Sequence, residues 1–165
     1  MHVSNKIIRR SSVGVVITTL LVSAIMTACG PVSWCRGPGW RVCASKSASH
    51  VWVYHDGTLM RDSYARFGGA NADGVFETQE GIFEMWPSYG GPNEVSHVWH
   101  DAPMPWATYF GSQGQATHYS SETGPTEFSH GCIRIAIYEV AQFIWTIERN
   151  QVWYHTPGAT IFIYK

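Results

Sequence analysis

Only one stretch of this chain carries a helical period, and that asymmetry constrains its fold more than any other feature. Ile137, Val140, Ala141, Ile144 and Trp145 recur at i, i+3, i+4, i+7 and i+8, and neither Gly nor Pro interrupts residues 137–148. Around this helix the sequence is cut into short strand-like pieces. Residues 51–54 and 59–66 flank His55-Asp56-Gly57-Thr58, where Asp-Gly signals a hairpin turn. Residues 81–86 read as another strand, closed by Pro87 and the turn at Tyr89-Gly90-Gly91-Pro92. Residues 94–100, 106–110 and 115–119 are further strand candidates. After the helix, residues 151–155 and 159–164 return to strand character, with Ile161-Phe162-Ile163 expected to be buried on both faces. The pattern predicts a mainly β fold with one principal helix.

Composition excludes the main alternatives. At 165 residues the chain holds one domain of ordinary size, and 45% hydrophobic, 14% aromatic and 14% charged content is too apolar for a disordered segment. Sixteen Gly and eight Pro are scattered without a period, which removes collagen-like and low-complexity readings. The net charge of −1 hides a split. Residues 1–28 carry Lys6, Arg9 and Arg10 with no acid, a charge of +3, leaving 8 basic and 12 acidic residues, or −4, for the rest. An acidic domain without a basic run excludes nucleic acid as a natural partner.

The N-terminus reads as an address. Residues 1–10 are basic and residues 13–28 form an apolar run of about 16 residues, short of the ~20 of a membrane span and suited to a secretory signal. Met26-Thr27-Ala28-Cys29 resembles the lipobox of bacterial lipoproteins, which implies cleavage before Cys29 and lipidation of its sulfur. The expected division is a signal peptide over 1–28, a lipidated N-terminus and linker over 29–47, and a folded domain over 48–165. That places the domain outside the cytoplasmic membrane, anchored to it or released to the periplasm or cell wall.

Three cysteines remain in a compartment that permits disulfides. Cys35 and Cys43 lie eight apart across Arg36-Gly37-Pro38-Gly39-Trp40, whose Gly-Pro-Gly can turn the chain back. A local disulfide fits this spacing; two free thiols in a flexible stalk are the alternative. Cys132 is left without a partner.

Cys132 sits in Ser129-His130-Gly131-Cys132-Ile133-Arg134. The thiolate is the nucleophile, and a nearby imidazole can take the thiol's proton. Gly131 lets the backbone bend so that its N–H and that of Cys132 can face a developing oxyanion. Arg134 supplies a fixed positive charge suited to a carboxylate. His118 is a second imidazole, reached through a turn-rich loop. By these residues alone, a buried thiol with structural histidines remains open.

The run 129–134 resembles the signature of the L,D-transpeptidase catalytic domain. Thr78-Gln79-Glu80-Gly81-Ile82-Phe83 is similar to that family's Thr-Pro-x-Gly-x-Phe strand, and Met104-Pro105-Trp106 to its Met-Pro-aromatic segment. The resemblance runs from about Ala48 to Tyr164. It implies a β-sandwich-like fold and a cysteine enzyme that remodels peptidoglycan, needing no cofactor and no metal. Cys132 would be the nucleophile and His118 the general base, oriented by the Tyr119 carbonyl. His130 would support them, and Gly131 would lend its N–H to the oxyanion. Arg134, Ser129, Tyr119 and Trp106 would contact or shape the substrate, with Ser129 tethering its loop through its hydroxyl and Trp106 standing where the family commonly has Tyr. Donor and acceptor stem peptides would be the partners, the product being a 3→3 cross-link with release of D-alanine. An L,D-carboxypeptidase, an enzyme attaching proteins to the wall, and a non-catalytic wall-binding module are the competing expectations.

Two further clusters carry less. His97, His100 and Asp101 have a spacing that metal ligands sometimes use, but on a strand or turn it does not put both imidazoles on one face. Most of the aromatics Trp86, Tyr89, Trp99, Trp106, Tyr109 and Phe110 read as core or sheet faces, with one or two left to stack on substrate.

Overall fold

The computed structural model describes residues 31–69 and 77–165. The expected signal peptide, with Lys6 to Arg10, and the expected lipidation position Cys29 lie outside the described residues. Eight strands close into a barrel: β1 (Trp40–Ser45), β2 (His50–His55), β3 (Thr58–Arg66), β4 (Gly81–Pro87), β5 (Thr108–Phe110), β6 (Gln115–Tyr119), β7 (Ile133–Ile135) and β8 (Ala159–Tyr164). Their order around the barrel is β1-β2-β3-β7-β6-β5-β4-β8. A short helix, α1 (Pro31–Cys35), precedes β1, and the long helix α2 (Tyr138–Tyr154) connects β7 to β8.

The β2–β3 hairpin forms at the expected turn. Asp56 and Gly57 both take positive φ, 48° and 78°, the backbone of the two-residue turn whose twist matches paired strands. Gly57 is required twice over, because a Cβ there would also meet the Arg36 carbonyl at 2.8 Å.

The sheet begins earlier than the 48–165 boundary predicts. Trp40–Ser45 is no linker: it pairs antiparallel with β2 and parallel with β8, and Val42, Cys43 and Ala44 are buried. Cys35 is bonded to Cys43 with 6.0 Å between Cα atoms, which ties α1 to this strand. Trp34 stacks edge-on against Phe162 of β8, and the Arg41 guanidinium lies 4.1 Å from the Trp34 ring centroid. What reads as a Gly-Pro-Gly stalk becomes sheet because β8, more than 110 residues later in the chain, supplies the second hydrogen-bonded edge.

Period-2 alternation fills the interior. Val51 and Val53, Ile133 and Ile135, and Ile161 and Ile163 all point inward, while Phe162 between the last two is only half-buried and packs against Trp34. Val140, Ala141, Ile144 and Ile147 of α2 join the same apolar cluster. Each Val or Ile among them contributes about 1.5–3 kcal/mol on burial. Ile137, expected on the inward face, is instead the extended residue before the helix and is exposed.

Two strand expectations fail for identifiable reasons. Residues 151–155 continue α2 to Tyr154, since an established helix propagates through residues whose β preference is weak and context-dependent. The helix stops at His155, in the left-handed region ahead of Pro157. Residues 94–100 form a tight loop instead of a strand. Its only ladder contact is the Val95–Pro103 bridge, and the Ser96 hydroxyl accepts the Trp99 N–H at 3.0 Å, offering the backbone a local alternative.

Candidate active site

The site grows out of the parallel pairing of β6 and β7. Register places Thr117 beside Ile133 and His118 beside Arg134. Thr117, Ile133 and Ile135 face the packed interior, so the alternate positions, His118, Cys132 and Arg134, fall on the other face. There they line one cavity of about 680 Å³ together with Tyr119, His130 and Trp99. Cys132 rests on a small apolar cluster of Met104, Ala107 and Ala116.

The loop before β7 is held by a hydrogen-bond chain. The Gly68 N–H donates to Thr78 Oγ1 at 2.7 Å, and that hydroxyl donates to the Gly131 carbonyl at 2.9 Å. Ser129, fully buried, accepts the Gly131 N–H at 3.2 Å and donates to the Cys132 carbonyl. Gln115 closes the back: its side chain accepts the Gln79 N–H at 3.0 Å and donates to the Glu77 carbonyl at 3.0 Å. Gly131 has φ of 104°, and a Cβ on it would stand 2.7 Å from Gln115 Nε2.

Two expected roles change. The Gly131 N–H is occupied by Ser129 and does not face the cavity as an oxyanion donor. The Ser129 hydroxyl holds the loop at both ends. Trp106 is absent from the cavity lining. Its backbone, at φ 61°, turns the indole into the core against Trp145 and Tyr138, at 5.0 and 5.8 Å between centroids. Trp99 does reach the cavity, its ring tilted against His130 at 3.5 Å between ring centroids.

The electrostatics of the imidazole and thiol are complementary. Burial pushes His118 down to about 4; the Arg134 cation acts in the same direction, and the Tyr119 carbonyl opposes both. His118 is therefore neutral at pH 7. Its Nδ1 lies 2.9 Å from the Tyr119 carbonyl, which can only accept, so Nδ1 carries the proton and Nε2 keeps its lone pair. Burial raises the Cys132 thiol, against smaller downward pulls from a backbone hydrogen bond with Ala116 and from Arg134. Burial and Arg134 together lower His130. The resting pair is thus neutral thiol and neutral imidazole, an arrangement that calls for proton transfer during attack.

Sequence reasoning missed Gln115 and Glu122, whose carboxylate lies 3.4 Å from Arg134. No local signal marks them, since their partners lie 12 to 38 residues away. His97 instead pairs with Glu94 at 3.5 Å, and among the described residues no three His, Cys, Asp or Glu side chains gather as a metal site.

The L,D-transpeptidase catalytic domain model matches residues 39–163. With that match across three-quarters of its length, and the barrel and cleft described above, the chain belongs to the L,D-transpeptidase catalytic domain family. Among solved structures, an L,D-transpeptidase from Stackebrandtia nassauensis superimposes with a TM-score of 0.61 at 18% identity, covering 81% of this chain and 60% of that one. One from Xylanimonas cellulosilytica gives 0.55 at 22% identity, covering 78% and 61%. One from Mycobacterium tuberculosis gives 0.58 at 17% identity, covering 78% and 59%. This chain spans about three-fifths of the length of those proteins. No curated protein matches the sequence at a significant level.

Proposed function

We propose that the protein is an extracytoplasmic cysteine L,D-transpeptidase that forms 3→3 peptidoglycan cross-links. The observation that carries this reading is the meeting of Cys132 with a neutral, tautomer-fixed His118 and the Arg134 cation in one cavity at the β6–β7 edge. In the first half-reaction the Cys132 S–H proton passes to His118 Nε2 as sulfur attacks the amide carbonyl that precedes the donor's terminal D-alanine. The tetrahedral oxyanion is left to the Cys132 N–H, since Ser129 occupies that of Gly131. Collapse breaks the C–N bond, and His118 returns its proton to the leaving amine of D-alanine. The side-chain amine of an acceptor stem then attacks the thioester, His118 takes its proton, and the departing sulfur recovers it as thiol. Arg134 binds a stem carboxylate.

The domain is exported, and a lipid on Cys29 would hold it close to the bilayer, because folded structure is already in place at α1 and β1. Intact mass spectrometry of residues 30–165 with a disaccharide-tetrapeptide tests the proposal, with Cys132→Ala as control. A thioester adduct lacking D-alanine plus a cross-linked dimer is expected. Free tripeptide without dimer would make water the acceptor and the protein a carboxypeptidase. No adduct would make it a binding module.

A further inference from the structure

Arg134 is not an open cation. Its Nη1 lies 3.4 Å from a Glu122 carboxylate oxygen and 3.4 Å from the Glu122 carbonyl. Both residues line the cavity, and their exposures differ: the Arg134 side chain is 18% exposed and that of Glu122 68%. Across the sheet Arg134 is the register partner of Arg66, so two cations stand side by side on neighbouring strands, an unfavourable pairing unless compensated. Among the described residues Arg66 bonds only neutral groups, donating to the Pro125 carbonyl and lying 4.6 Å from the Phe128 ring centroid. The loop's other acid, Glu127, accepts the Gly124 N–H at 2.9 Å and closes its own turn. Glu122 is therefore the one carboxylate of this loop set against the arginine pair.

The contact is also loose. Charge-assisted N–H···O bonds close to about 2.7–2.9 Å, and Arg–carboxylate pairs are often bidentate. At 3.4 Å and through a single nitrogen, Glu122 holds a place that a better-fitting carboxylate can take.

We propose that Glu122 is an internal occupant of the Arg134 carboxylate site and sets the charge selectivity of the cleft. An incoming ligand that bears a carboxylate displaces it, whereas an amidated or neutral ligand leaves it in place. Exchange of one carboxylate for another keeps the arginine pair compensated in both states. The proposal rests on the reading of Arg134 as a carboxylate site and deepens it.

Alkylation of Cys132 tests this without peptidoglycan. Iodoacetate carries the carboxylate and iodoacetamide the amide on otherwise equal reagents, so the ratio of their rates cancels changes in thiol reactivity. Glu122→Gln should raise the iodoacetate-to-iodoacetamide ratio about fivefold, the factor that corresponds to about 1 kcal/mol for an ion pair of this exposure. Glu127→Gln makes the same change in charge on the same loop and should leave the ratio near that of the unaltered protein. Adding Arg134→Gln to Glu122→Gln should abolish the gain. An unchanged ratio in Glu122→Gln, an equal gain in Glu127→Gln, or a gain that survives loss of Arg134 would each overturn the proposal. If the protein does not cross-link stem peptides, the mass-spectrometric test shows it while the alkylation ratio still responds.

Discussion

The neutral state of His118 makes a prediction that acid titration can check. The fully buried imidazole is held at about 4 against an ordinary 6.5, a difference of about 2.5 pH units. At 1.36 kcal/mol per unit this is worth about 3 kcal/mol. Above pH 6.5 the imidazole is neutral in both the folded and the unfolded chain, and its contribution to stability is complete. As pH falls from 6.5 to about 4 the unfolded chain takes up a proton that the folded protein refuses. Stability should therefore decline by about 1.4 kcal/mol per unit through that window. Urea denaturation at pH 7.5, 5.5 and 4.5, on the protein and on His118→Asn, isolates the effect. The stability difference between the two should shrink in favour of the variant by about 3 kcal/mol at the acid end. Alkylation of Cys132 by iodoacetamide supplies the kinetic half, with an acid limb contributed by His118 near pH 4. An acid limb near 6.5, with parallel stability profiles for the two proteins, would refute the argument that burial keeps this base neutral.

Other expectations follow from single contacts. Glu148 is fully buried, with Oε1 accepting the Ala159 N–H at 2.5 Å and Oε2 without a hydrogen-bond partner, and burial pushes its carboxyl up to about 7. Its contribution to stability is complete below pH 4.5 and lost as pH rises to 7, so Glu148→Gln should gain on the unaltered protein by about 3 kcal/mol between pH 4.5 and 8 in urea titrations. Gly131→Ala places a Cβ against Gln115 at φ 104° and should cost at least about 1–3 kcal/mol, with adduct formation at Cys132 falling by more than tenfold in mass spectrometry. Reduction of Cys35–Cys43, eight residues apart, should lower unfolding free energy by about 2.5 kcal/mol, read by denaturation with and without reductant.

Local pattern carried the parts of this protein whose cause is local. The Asp56-Gly57 turn, the strand character of β2, β6 and β8 and the periodicity of α2 are each set within a few residues, and all are legible in the chain. The chemistry of the run from Ser129 to Arg134 is legible too, because nucleophile, bend and cation are neighbours in sequence. Tertiary structure decided whatever depends on a distant partner. Trp40–Ser45 became a strand because β8 lies beside it, and Trp106 became core because a positive φ turned it toward Trp145. The Gly131 N–H lost its expected role to a side chain whose direction no periodicity reports. The state of the site was settled in the same way. A histidine and a cysteine in sequence have ordinary proton affinities; only burial at the β6–β7 edge beside Arg134 makes one a neutral base and the other a resting thiol.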